Sequence, residues 1–136
     1  MNNPVQNKPS SPKRQRSSVI VERDGALLLV QTRQGLWLLP GGGCNPGELP
    51  IAAAARELHE ETGLRATALT FLFTHESETN FHHVFHAVAG GDPQADDDAA
   101  DLLLFGERPH ESPLNLSLAT RRIIDRFRKT WHAEPA

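Results

Sequence analysis

One stretch constrains this chain more than any other. From Gly41 to Leu64, GGGCNPGELPIAAAARELHEETGL, a glycine-rich loop is expected directly before a short helix that carries three glutamates. Pro50 suits a first helical position, where its missing N–H is no loss, and Gly63 suits the residue just past the end, where a left-handed backbone is needed. At about 100° per residue, Ile51, Ala55, Leu58 and Thr62 form one stripe expected to lie against a core, with Glu57, Glu60 and Glu61 on the other side. Like charges at i, i+3 and i+4 cost an isolated helix about 0.2–0.5 kcal/mol per pair, so the helix gains nothing from the cluster. A solvated acidic face is the plain alternative, and the preceding glycines argue for a ligand instead. Gly41, Gly42 and Gly43 allow positive φ and let backbone carbonyls approach a bound group without a Cβ in the way. Carbonyl and carboxylate oxygens together suit Mg²⁺, with Mn²⁺ as a substitute, better than zinc. Mg²⁺ completes its shell with water and substrate phosphates, so a phosphate-bearing ligand is expected.

The pattern is longer than the helix. Gly42, five residues, Glu48, seven residues, then Arg56-Glu57-Leu58-His59-Glu60-Glu61-Thr62-Gly63-Leu64 match the Nudix box, G-x5-E-x7-R-E-U-x-E-E-x-G-U, at every fixed position. Upstream, Trp37-Leu38-Leu39-Pro40 is similar to the W-x-L-P lead-in of many members. The chain thus resembles the Nudix hydrolases of MutT type. Periodicity by itself supports α/β or α+β; the resemblance implies the α/β fold class, as the Nudix α/β/α sandwich with a mixed β-sheet. It also implies a Mg²⁺-dependent hydrolase that cleaves a phosphoanhydride in a nucleoside diphosphate linked to another moiety. A nucleoside triphosphate pyrophosphohydrolase of MutT type is the residual choice. The metal would be held by Glu57, Glu60, Glu61 and the carbonyl of Gly41, Arg56 would pair with Glu48 to fix the loop against the helix, and Glu60 or Glu61 would act as base. Gly42, Gly43, Arg33 and Asp98 complete the substrate-side set. For Arg33 the choice is a phosphate contact or an exposed turn; for Asp98, which with Asp101 stands at a familiar E-x-x-E position, it is a further carboxylate or a solvated acidic loop. Two other readings stay open: a non-catalytic nucleotide-sensing module, and an enzyme acting on nucleotide sugars or RNA 5′ ends. The chain has no tyrosine and no proline between Gly63 and Pro93, so marks of the dinucleoside polyphosphate and ADP-ribose branches are missing.

At 136 residues the length suits one domain. Residues 1–17 hold Lys8, Lys13, Arg14 and Arg16 among prolines and small polar residues with no acid, which reads as a disordered basic tail before a domain at 18–136. Against a net charge of −3, those four cations leave about −7 on the remainder, which argues against broad nucleic-acid binding. The lone cysteine, Cys44, excludes an internal disulfide and reads as filler in the glycine segment. No apolar run reaches the roughly 20 residues of a membrane helix, so a cytoplasmic protein with a small-molecule nucleotide substrate is expected. Oligomeric state is open, a homodimer included.

Val19 to Val21 and Ala26 to Thr32 flank Asp24-Gly25 as a hairpin, and Leu27 to Val30 is the continuous apolar run of a strand covered on both faces. Trp37 reads as a packing residue under the glycine segment. Thr67 to His75 and Phe81 to Ala89 form a second strand pair, with Phe81, His83, Phe85 and Ala87 on one face and His82, Val84, His86 and Val88 on the other. His82 and His86 are roughly 13 Å apart along a strand, too far to share a metal ion. The histidines, His75 included, read as surface or partly buried side chains, with one available to touch substrate. Leu102 to Phe105 predicts a short strand and 109–113 a loop. Leu116, Ala119, Thr120, Ile123, Phe127 and Trp131 make the stripe of a closing helix.

Overall fold

The computed structural model describes residues 12–96, 99–106 and 114–131. Asp98, the expected 109–113 loop and the first eleven residues of the expected tail lie outside them. Within the described residues the order is β1 (Arg14–Arg23), β2 (Ala26–Gln31), β3 (Trp37–Leu38), β4 (Gly41–Gly43), α1 (Pro50–Thr62), β5 (Arg65–Glu76), β6 (Asn80–Gly90), β7 (Asp101–Phe105) and α2 (Leu118–Thr130). Asp24 and Gly25 take φ of 52° and 83° and set Arg23 opposite Ala26, the tight hairpin that an Asp-Gly pair specifies.

The sheet is mixed. Its strands run β3-β2-β1-β6-β5, with β4 added against β1 and β7 against β2. β1 lies parallel to β6 from Arg14 opposite Asn80 to Val21 opposite Ala87, and the other ladders are antiparallel. Alternate residues of the central strands feed two cores. Val19, Val21 and Leu28 pack with Ala54 and Leu58 of α1 and with Phe85 and Ala87 of β6. Ile20, Leu27 and Leu29 pack on the opposite face with Trp37 and with Ile123, Ile124 and Phe127 of α2. Each face of β2 meets a helix, which is why Leu27 to Val30 is unbroken by polar residues. The result is the expected α/β/α sandwich. On β6 the expected alternation holds, since Val84 joins the α2 core and Phe85 and Ala87 the α1 core.

Four readings need correction. β1 begins at Arg14, inside the segment assigned to a disordered tail, because Arg14 to Ser18 gain backbone partners on β6 and on β4 that their own composition does not suggest. Gly41 to Gly43 form a strand, with Gly41 opposite Ser18 and Gly43 opposite Arg16. In α1 the buried residues are Ala53, Ala54, Leu58 and Thr62, while Ile51 in the first turn is 44% exposed. In α2 Ile124 takes the core place expected of Trp131, which is 51% exposed just past the last turn. No helix among the described residues is long and apolar enough to cross a membrane.

Candidate active site

α1 starts without a side-chain cap, Leu49 standing at that position, and relies on Pro50 in its first turn. It ends at Gly63, whose φ of 77° lets its N–H return to the carbonyl of His59 at 2.8 Å. Between these ends Arg56 organises the acidic face. Its Nε and Nη2 donate to the two oxygens of Glu48 at 2.8 and 2.9 Å, and Nη2 also reaches the Gly43 carbonyl at 3.1 Å. Nη1 donates to Glu57 at 2.8 Å and to Glu60 at 2.9 Å. These contacts use all five N–H donors of the guanidinium. The expected Arg56–Glu48 pair is thus present, and it ties the helix to both the β4 backbone and the connection that follows. Glu48 also accepts from the Asn45 N–H at 2.9 Å. The Arg56 guanidinium and then this backbone donor push the Glu48 carboxyl down to about 2.

Glu57 is different. Burial raises its pKa, against the opposing pull of Arg56. A Cβ on Gly42 would collide with its carboxylate, so the glycine there is what lets the acid lie against the strand. Glu61 accepts the Gly41 N–H at 2.9 Å. Glu57 and Glu61 therefore lie against β4 and Glu60 is held by Arg56, and no three His, Cys, Asp or Glu side chains among the described residues converge as a ready cation cage. The donors offered are all oxygens, which fits a hard divalent ion.

A cavity of about 790 Å³ is bounded by the start of β1, by Leu36, Leu38 and Leu39, by the β5–β6 turn and by the start of α2. Arg16, Ser18, His75, His82 and Arg122 contribute to its wall. Arg16 stands in register between Gly43 on β4 and His82 on β6. Burial lowers its pKa, while the charges of Glu61 and Glu57 act to raise it, so this guanidinium borders the cavity within electrostatic reach of the glutamates. Arg33 takes no such place. It is exposed in the turn closed by Gly35 N–H to Thr32 O at 2.9 Å, away from the cavity wall. Cys44 lies 3.9 Å from Ser17 Oγ.

Arg16 and Ser18 were not legible as cavity residues, and His82 stood only among the histidines of which one was available to touch substrate. Beyond that the hint is their period-two alternation, with Ser17 and Val19 on one strand and with Phe81 and His83 on the other.

The NUDIX domain family model matches residues 12–127. The chain belongs to the Nudix family. Its fold is similar to that of the MutT NUDIX hydrolase from Burkholderia pseudomallei, with a TM-score of 0.73, 26% identity and coverage of 85% of this chain and 98% of that one. It is also similar to the E. coli ORF135 protein, with a TM-score of 0.71, 30% identity and coverage of 93% and 96%. In sequence it is 38% identical over 68 residues to the CTP pyrophosphohydrolase of Escherichia coli, 46% of this chain and 50% of that protein. Over 34 residues it is 62% identical to the RNA pyrophosphohydrolase of Bartonella clarridgeiae, 25% of this chain and 20% of that protein. The matches thus span half or less of these curated relatives. Of the four glutamates in this chain's Nudix box, Glu48, Glu57 and Glu60 are gathered around Arg56, and Glu61 accepts the Gly41 N–H.

Proposed function

We propose that this Nudix hydrolase is a Mg²⁺-dependent pyrophosphohydrolase of nucleoside triphosphates, with the nucleoside in the cavity beside β1 and the phosphates at the face of α1. The observation that carries this reading is Arg16, which borders the cavity and shares the electrostatic field of Glu57 and Glu61. A polyphosphate leaving the cavity would meet this cation first and the acidic face next.

In this reading Glu57, Glu60, Glu61 and the Gly41 carbonyl hold the metal, which when bound screens the phosphate charge and polarises the phosphoryl oxygens. Arg56 keeps Glu57 and Glu60 in place and locks Glu48 against the β4 segment, so that the acids do not rearrange when substrate arrives. Glu60 or Glu61 takes the proton from water as its oxygen bonds to phosphorus, the P–O bond of the anhydride breaks, and pyrophosphate leaves with the bond electrons. Arg16 opposes the charge that develops on the leaving group.

The test is hydrolysis with Mg²⁺ of a panel of NTPs, dNTPs, oxidised nucleotides, nucleotide sugars, dinucleotides and triphosphorylated RNA, with products separated. We expect pyrophosphate and a nucleoside monophosphate from at least one triphosphate, no turnover with a chelator, and a loss of roughly 10²–10⁴ in Glu60→Gln at an unchanged melting temperature. Near-normal turnover in that variant would refute the role of the acidic face.

A further inference from the structure

His82 is 6% exposed and lines the cavity from β6, in register with Arg16 on β1 and across from His75 on β5. Its Nδ1 lies 3.1 Å from Ser18 Oγ, and its Nε2 has no hydrogen-bond partner among the described residues. Ser18 is 3% exposed, and its hydroxyl bonds to His82 alone among those residues.

Pairing each buried group with a partner selects one tautomer. If Nδ1 carried the proton and donated it, the buried Ser18 hydroxyl hydrogen would be left without an acceptor. Donation from Ser18 Oγ to Nδ1 satisfies both atoms and places the imidazole proton on Nε2. The ring is neutral, because burial and then the neighbouring Arg16 push its pKa down to about 4. Nε2–H is therefore a buried donor without an acceptor among the described residues, on a side chain that lines the cavity and is fixed in direction by the bond at the far side of the ring. Leu36, Leu38 and Leu39 supply apolar surface along the same cavity, suited to the face of a flat ring.

We propose that His82 is a specificity-determining residue whose Nε2–H donates to a carbonyl oxygen or unprotonated ring nitrogen on the edge of the substrate's nucleobase, with Ser18 holding it in that tautomer. The identity of the occupant rests on the nucleotide reading above; the donor state of His82 does not. A buried donor that finds its acceptor only in one base edge discriminates against bases that present an N–H there, because two donors then meet with no acceptor between them.

The experiment follows the ring nitrogens of His82 by NMR in the full chain, without metal, as CMP, UMP, GMP and AMP are added in turn. It is run beside the hydrolysis panel for the wild type, His82→Phe, His82→Gln and Ser18→Ala. The expected result is a proton on Nε2 in the free protein, a shift of its resonance with at least one monophosphate, and selectivity reduced about tenfold between best and worst base in His82→Phe. His82→Gln, which keeps a donor, should recover part of that selectivity. A proton on Nδ1, or an Nε2–H held by an ordered water and unmoved by all four monophosphates at saturation, overturns the proposal without needing any variant to fold. Hydrolysis with a silent His82 would leave the pyrophosphohydrolase reading standing and remove this one. A shifted His82 with no hydrolysis of any compound would do the reverse.

Discussion

Arg56 joins three glutamates and a backbone carbonyl through one planar group, and a lysine cannot reproduce that geometry, since an ammonium has three donors and no fork. Arg56→Lys is expected to destabilise the protein by about 1–3 kcal/mol and to lower kcat/KM for the preferred nucleotide. Urea unfolding checks the first effect and initial rates the second; unchanged values for both would show that the hub is dispensable. His82 gives a pH prediction of definite sign. Its pKa falls from 6.5 to about 4 on folding, so between those values the unfolded chain binds more protons than the folded one. Stability is then full above about 6.5 and is lost as the pH falls toward about 4. Burial lowers His75 and His83 in the same direction. The urea midpoint should drop across that window, and drop less in His82→Phe. The box residues were legible because their spacing along one helix is their spacing in space. Arg16 and Ser18 were not, and His82 could not be singled out from the other histidines, because 64 residues separate Ser18 from its partner and nothing local announces the pairing.

Among the elements, β4 shows how a sequence pattern can bring the right residues together and mistake the backbone that does it. Three glycines read as a loop since glycine has little strand preference, yet the backbone of β1 holds them in a ladder, and the missing side chains make room for Glu57. Gly42→Ala is expected to reduce activity by at least an order of magnitude, with a smaller effect on the melting temperature, since the added methyl displaces a carboxylate and leaves the core intact. Comparing rate loss with thermal shift checks this; a variant with full activity would mean that Glu57 has no fixed seat. The bounds of α1 were readable from Pro50 and Gly63, whose reasons are local. Ile51 and Trp131 were misplaced because they sit at helix ends, and periodicity carries no information on where the sheet beneath a helix stops.

For the whole molecule, stability rests on two cores, one on each face of the sheet. Phe127 is 2% exposed in the core beneath α2, and its ring stacks on that of His86 at 6.2 Å between centroids. Phe127→Ala is expected to cost about 3–5 kcal/mol, a large part of the stability of a domain this size, seen as a lower urea midpoint with an unchanged slope. A cost under about 1 kcal/mol would mean that α2 is only loosely seated. The two-sided burial of the sheet was legible in the apolar run of β2, and the layer order came with the family resemblance. The parallel pairing of β1 with β6 was not, since a strand's own residues do not name its neighbour. That pairing has a consequence for synthesis. Val19 to Val21 emerge from the ribosome long before Phe85 to Ala87, the residues that complete their ladder. At about 5–20 residues per second, that edge of β1 waits several seconds for its partner strand, an interval in which it is open to pairing with other chains.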